Sequence, residues 1–117
     1  MFKEVLDRLV EQLRGVLAVT LIGFDGIPIE SVNDGGIALD AVSAEFTTFL
    51  KSIQLTNTDF ETGNVEQVSV ITDRYVIYLS VVTSDYLFLM VMEPGANHGK
   101  ARFELAKAKH ALRDELS

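Results

Sequence analysis

The chain has no cysteine and no tryptophan, and among its 117 residues only two prolines and two histidines. Without cysteine there are no disulfides and no thiolate metal sites, which fits a reducing compartment. The two histidines, His98 and His110, stand too far apart to form an i, i+4 imidazole pair for a metal. The sequence contains no G-x-S-x-G elbow and no G-x-x-x-x-G-K-[ST] loop, so a serine hydrolase and a self-contained P-loop nucleotide site are both excluded. Gly95–Lys100 outlines a glycine-rich helix start but has neither the spacing nor the Ser or Thr of a phosphate loop. No apolar run approaches the roughly 20 residues of a membrane span. The opening Met1-Phe2-Lys3-Glu4 is amphipathic rather than signal-like, and a cytoplasmic protein without membrane insertion is expected.

Positive charge is scarce where it would matter for nucleic acid. Between residues 15 and 96 only Lys51 and Arg74 oppose eleven acids, within a chain of net charge −7. Phosphate contacts need clustered Lys and Arg, so no nucleic acid partner is expected. An acidic middle serves solubility and also favours a basic protein partner. Asp25, Asp34, Asp40 and Asp59 read as loop or cap acids rather than a catalytic pair. No catalytic residue, cofactor site or metal site is assigned.

What the chain does have is Tyr86–Met92, seven apolar residues bounded by Asp85 and by Glu93-Pro94-Gly95. Seven residues suit a strand of about 20 Å. A strand apolar on both faces must be covered on both faces, so it reads as the centre of a sheet with helices on each side.

The other elements follow from period. Phe2, Val5, Leu6, Leu9, Val10 and Leu13 recur at helical spacing over residues 2–14, with Gly15 placed as a left-handed cap. Val16–Ile22 is a second buried strand. Asp25-Gly26 marks a hairpin turn, and Pro28 assigns the returning strand Ile27–Val32 to a sheet edge. Residues 38–55 form a helix with Leu39, Val42, Phe46, Phe49, Leu50 and Ile53 on its core stripe, capped by Asp34 or Asp40. Its remaining surface is small and weakly charged: Asp40, Ala41, Ser43, Ala44, Thr47, Thr48, Lys51, Ser52 and Gln54. Such a surface suits close contact with another backbone better than solvent. Thr56–Asn64 reads as a polar loop. Val65–Thr72, Tyr75–Val82 and Tyr86–Met92 make a meander, the first of them outermost. Asn97 caps a last helix on the line Ala101, Leu105, Ala108, Leu112 and Leu116, with Phe103 and His110 on its far side. The order is helix, hairpin, helix, meander, helix, read as one domain over 1–117.

This order, with Ala18-Val19-Thr20-Leu21-Ile22-Gly23-Phe24-Asp25-Gly26-Ile27-Pro28-Ile29 and Leu89-Met90-Val91-Met92-Glu93-Pro94-Gly95-Ala96-Asn97-His98-Gly99-Lys100-Ala101-Arg102, resembles the Roadblock/dynein-light-chain family, in its bacterial or archaeal stand-alone form. His98 departs from the apolar residue usual there. The resemblance implies an α/β (α+β) fold, α-β-β-α-β-β-β-α, with a five-stranded mostly antiparallel sheet of order 2-1-5-4-3. Two helices then cover one face and the middle helix the other.

The resemblance also implies a non-catalytic homodimer acting as regulator or scaffold of a Ras-like small GTPase, in some relatives stimulating hydrolysis without inserting an arginine. The self-contact falls on Ala41, Thr48 and Ser52 of the middle helix and on Val65, Gln67, Val68, Ser69, Val70 and Ile71 of the third strand. The GTPase contact falls on Asp40, Ala44, Thr47, Lys51 and Gln54. Two other readings stand beside it. One is a dimerising adaptor in a motor or trafficking complex with no effect on nucleotide turnover. The other is a PAS- or profilin-like binding module, against which Phe46, Phe49, Tyr78 and Phe88 suggest a filled core.

Overall fold

A computed structural model describes residues 2–116. The elements are α1 (Phe2–Gln12), β1 (Val16–Gly23), β2 (Pro28–Asn33), α2 (Leu39–Asp59), β3 (Gln67–Ile71), β4 (Val76–Val81), β5 (Tyr86–Met92) and α3 (His98–Leu116). The five strands form one antiparallel sheet in the order β2-β1-β5-β4-β3.

β5 lies at the centre, as its two-sided apolarity requires. Phe88, Met90 and Met92 pack with Leu6, Leu9, Leu105 and Leu112 of α1 and α3. Leu87, Leu89 and Val91 join Leu39 and Leu50 of α2 on the other face. Each fully buried side chain of this size contributes about 1.5–3 kcal/mol relative to exposure, so the alternation along β5 ties the two halves of the core together.

The connections are tight. α1 ends at Gln12, short of the expected residue 14, so Gly15 is not its cap; Gly15 is left-handed at φ +85° and its carbonyl accepts the Glu93 N–H at 2.9 Å, which ties the connection to the end of β5. In the β1–β2 hairpin the Gly26 N–H reaches the Gly23 carbonyl at 2.9 Å, and Asp25 Oδ1 accepts the Ile27 N–H at 3.0 Å. Gly26 has φ +86° and a Cβ there would lie 3.3 Å from the Ala44 Cα, so the turn presses on α2. The β1–β2 register slips between Leu21 and Ile22, opposite Pro28, placing the proline at a bulge on an edge strand as its missing N–H demands.

Two expectations about α2 need correction. Neither Asp34 nor Asp40 caps it: the N-cap is Ala38, without a side-chain bond. The Asn33 side chain instead closes the preceding loop, donating to the Ile37 carbonyl at 2.7 Å and accepting the Ile37 N–H at 3.0 Å. The helix also continues to Asp59, into the stretch read as loop. At the last helix, Asn97 Oδ1 accepts the Lys100 N–H at 3.0 Å, as a cap should.

The two sheet edges differ. On β2 the proline removes one donor, and Lys3 Nζ donates to the Ser31 carbonyl at 2.8 Å. Val19 is paired with Val32 through β1's bonding parity, so that carbonyl of Ser31 faces away from the sheet. On β3 no proline or charged residue occurs between Gln67 and Ile71. The ladder to β4 closes with Val81 N–H to Glu66 O at 2.9 Å and Thr72 N–H to Tyr75 O at 2.8 Å. In that register the even-numbered residues bond β4, so the N–H and C=O of Gln67, Ser69 and Ile71 point outward, unpaired.

Candidate protein-interaction surface

α2 is the largest element with an exposed side made of small residues. Ala41, Thr48 and Ser52 lie along its outermost ridge and are exposed. Its hydroxyls turn back on their own helix. Thr48 Oγ1 donates to the Ala44 carbonyl at 3.1 Å, Ser52 Oγ to Thr48 at 3.3 Å, Thr56 Oγ1 to Ser52 at 3.1 Å and Thr58 Oγ1 to Gln54 at 2.9 Å. A hydroxyl already bonded to the i−4 carbonyl loses little when water leaves. Glu45 is exposed on the same line, one turn from Ala41 and from Thr48, so the ridge is inexpensive to dehydrate except at that carboxylate, and its small residues leave room for a second helix to approach.

The flank beside that ridge borders the β1–β2 turn and carries Asp40, Ala44 and Lys51, all exposed. Lys51 and the half-buried Gln54 line a groove of about 600 Å³ with Phe24, Thr58, Gly63, Asn64, Val65, Val81 and Ser84. Thr47 does not belong to this surface. It is 2% exposed, its hydroxyl donates to the Ser43 carbonyl at 2.6 Å, and a Cβ on Gly26 would lie 3.8 Å from its own Cβ. The hairpin turn covers it, so a partner cannot reach it. Ser43 is likewise buried, and its Oγ has no hydrogen-bond partner among the described residues. Part of the small-residue pattern thus serves contact with the turn inside the same chain.

On β3 the proposed self-contact residues divide. Gln67, Ser69 and Ile71 are exposed, whereas Val65, Val68 and Val70 are half-buried against the α2 side of the core. Val65 packs against the same core cluster as Val68 and Val70 and lies ahead of the strand, which begins only at Gln67. The backbone edge, not the valine side chains, is what β3 offers to another chain.

Sequence reasoning missed two features. Phe49, expected in the core, is 45% exposed, and Phe60 is 74% exposed. They stand three turns apart on the flank of α2 opposite Lys51. Phe60 lay in the presumed loop, where no helical period was sought. The second feature is His98. It is half-buried rather than a surface residue: Nδ1 lies 2.7 Å from Tyr78 Oη and Nε2 lies 2.8 Å from the Pro94 carbonyl. A carbonyl only accepts, so Nε2 carries the proton and the Tyr78 hydroxyl donates to Nδ1. This ties α3 to β4. His98 occupies an apolar position of the helix, which was the available signal. Among the described residues no group of three or more His, Asp and Glu could hold a metal ion, and no helix is long and apolar enough to cross a membrane.

Helices on both faces of a five-stranded antiparallel sheet, with one guarded and one open edge, define the fold class. The sequence profile of the Roadblock/LC7 domain matches residues 2–92, and the chain belongs to that family. It is similar to a Roadblock/LC7 domain from Streptomyces avermitilis, at 18% identity over 97% of this chain and 96% of that one, with a TM-score of 0.88. MglB of Myxococcus xanthus superposes at a TM-score of 0.90, with 16% identity over 98% and 94% of the two chains. MglC of the same organism shares 26% identity over 97% and 98%, at a TM-score of 0.69. Among curated protein sequences none matches.

Proposed function

We propose that the chain acts as a two-fold dimer that presents its paired α2 helices to a Ras-like small GTPase, as a regulator or scaffold and not as an enzyme in its own right. The observation that carries this reading is the contrast between the sheet edges. β2 is protected by Pro28 and by Lys3 on the Ser31 carbonyl, while β3 leaves the backbone groups of Gln67, Ser69 and Ile71 open. An unguarded edge is an aggregation hazard unless a defined partner uses it. Antiparallel pairing of β3 with its own copy, centred on Ser69, sets Gln67 opposite Ile71 of the partner subunit and allows about six new hydrogen bonds. A two-fold contact must be self-complementary, and Ala41, Thr48 and Ser52 meet that demand by being small and uncharged, while Glu45 on the same ridge must turn to its solvent side.

With the ridges facing each other, the flank Asp40, Ala44, Lys51 and Gln54 stays open on both copies and supplies the GTPase contact, with Thr47 left out. Any acceleration of hydrolysis then comes from holding the partner's switch loops in their reactive arrangement. The test is solution mass by light scattering, alone and with small GTPases carrying GDP or a GTP analogue. A dimer that gains mass only with the GTP form supports the reading. A dimer that binds without changing turnover is an adaptor. A monomer that binds neither form removes the proposal. Thr48→Arg places two cations against each other on the ridge and is expected to leave a folded monomer; a Thr48→Arg dimer of unchanged mass takes α2 out of the self-contact.

A further inference from the structure

β3 is covered on one face only. Val68 and Val70 lie under α2, whereas on the other face Gln67, Ser69 and Ile71 are bare, Ile71 at 76% exposure. α3 walls this strip on one side. It runs the length of β4, from the Tyr78–His98 bond near the strand's start to Arg113, whose Nε donates to the Val82 carbonyl at 2.6 Å. The flank of α3 that overlooks β3 carries Arg102, Lys109 and Arg113, which are three of the cations of an otherwise acidic chain. Arg102 lines a recess of about 220 Å³ with Ser69, Ile71, Val76, Tyr78, Pro94 and His98, and none of these is an acid. It makes no ion pair among the described residues. Burial lowers the Lys109 pKa from its ordinary 10.5, and Arg113 lowers it further, against a smaller opposing effect of Glu66. Glu66 and Asp114 border Arg113 at the far end, so the uncompensated positive charge gathers around Arg102.

We infer that the strip between the two α3 helices of the dimer receives one acidic amphipathic helix of a partner protein, with its apolar stripe on Ile71 and Ser69 and its carboxylates on Arg102 of both protomers. This rests on the β3-paired dimer proposed above. Strands about 4.8 Å apart put the two β4 strands about 14 Å apart, and the α3 axes, lying over β4 and toward β5, roughly 15–20 Å apart. Helices pack at about 8–10 Å, so one helix fills the space and a second does not fit. Gly99 and Ala106, exposed on the same flank, let its backbone come close. A flat bilayer cannot reach a floor recessed between two helices, so an anionic membrane fits this surface poorly.

The test uses a designed helix of about 16 residues, with Leu along one face and Glu on both flanks, and a twin with Lys in place of Glu. Each is titrated by fluorescence anisotropy into protein whose mass is measured in parallel. The Glu helix is expected to bind once per dimer and the Lys twin not at all. Arg102→Glu is expected to lower affinity more than about tenfold with the dimer mass unchanged, and Lys109→Glu to lower it less. Equal binding of both helices, binding insensitive to Arg102→Glu, or no binding to a verified dimer overturns the inference. Binding of phosphatidylserine vesicles through Arg102 in place of the helix overturns it as well. A monomer that still takes the Glu helix through Arg102 refutes the dimer and keeps the surface; a monomer that does not refutes both.

Discussion

Ser69→Pro separates the fold of the protomer from its self-association, because the bonding parity of β3 makes the two respond to different residues. The Ser69 N–H points away from β4, so proline there removes no hydrogen bond from the protomer. Its ring sits on an edge strand, where proline is tolerated. In a dimer centred on Ser69 the change acts twice, once on each copy. Two of about six bonds are lost, at about 0.5–1.5 kcal/mol each, and two carbonyls on the facing strand are left unpaired at about 1–3 kcal/mol each. The ring also holds the strands apart. A loss of about 3–9 kcal/mol weakens association by roughly two to six powers of ten, enough to make a micromolar dimer monomeric. Val70→Pro is the matched control. Val70 bonds β4 and packs under α2, so proline there costs the protomer itself about 3 kcal/mol or more. The assay is mass by sedimentation across a concentration series, with thermal melts on the same samples. Wild type is expected to melt at a temperature that rises with concentration, Ser69→Pro at one that does not, and Val70→Pro far below both. A Ser69→Pro protein of unchanged dimer mass refutes pairing through β3.

Two further changes probe how α2 is seated. Ser43→Ala removes a buried hydroxyl that has no partner and installs a better helix former, so stability is expected to rise by about 1 kcal/mol in urea denaturation; a loss of stability would mean that the hydroxyl is satisfied. Gly26→Ala places a side chain at φ +86° and a Cβ 3.3 Å from the Ala44 Cα. A loss of about 1–2 kcal/mol is expected, and an unchanged midpoint would show that the turn does not press on α2.

Much of the architecture is legible without coordinates because burial on two faces leaves a mark on one strand. β5 could be bounded to the residue, since Asp85 and Glu93-Pro94-Gly95 close the apolar run at seven residues, a strand's length. Its neighbours followed from turn chemistry, with Asp25-Gly26 and Pro28 giving both the hairpin and the edge. The helical period gave the shape of α2 but not its rotation. The buried arc is centred on Leu39, Ser43, Thr47 and Leu50, turned by roughly 65° from the most apolar arc. A polar pair lies inside and Phe49 outside because the Gly26 turn claims that flank, and the approach of a distant turn has no periodic signature. The same limit hid the partners of His98: its place on the apolar line of α3 was visible, but the tyrosine twenty positions away and the Pro94 carbonyl that satisfy the imidazole were not.

β3 is the strand on which these limits matter most, because it is exposed in two perpendicular directions. Its edge lacks a neighbour and its α3-side face lacks a cover. In sequence it reads only as the least apolar strand of the meander. The two openings are not equivalent. The edge exposes unpaired backbone groups, whose needs any antiparallel strand of matching length can meet, so a second copy suffices. The bare face exposes side chains beside Arg102, and another copy of the same sheet brings only the same residues and the same positive charge. Closing the first opening doubles the second, since two bare strips and two cationic walls then lie side by side. A partner that recognises this face is therefore selected for the dimer, and its binding reports assembly rather than the fold of one protomer.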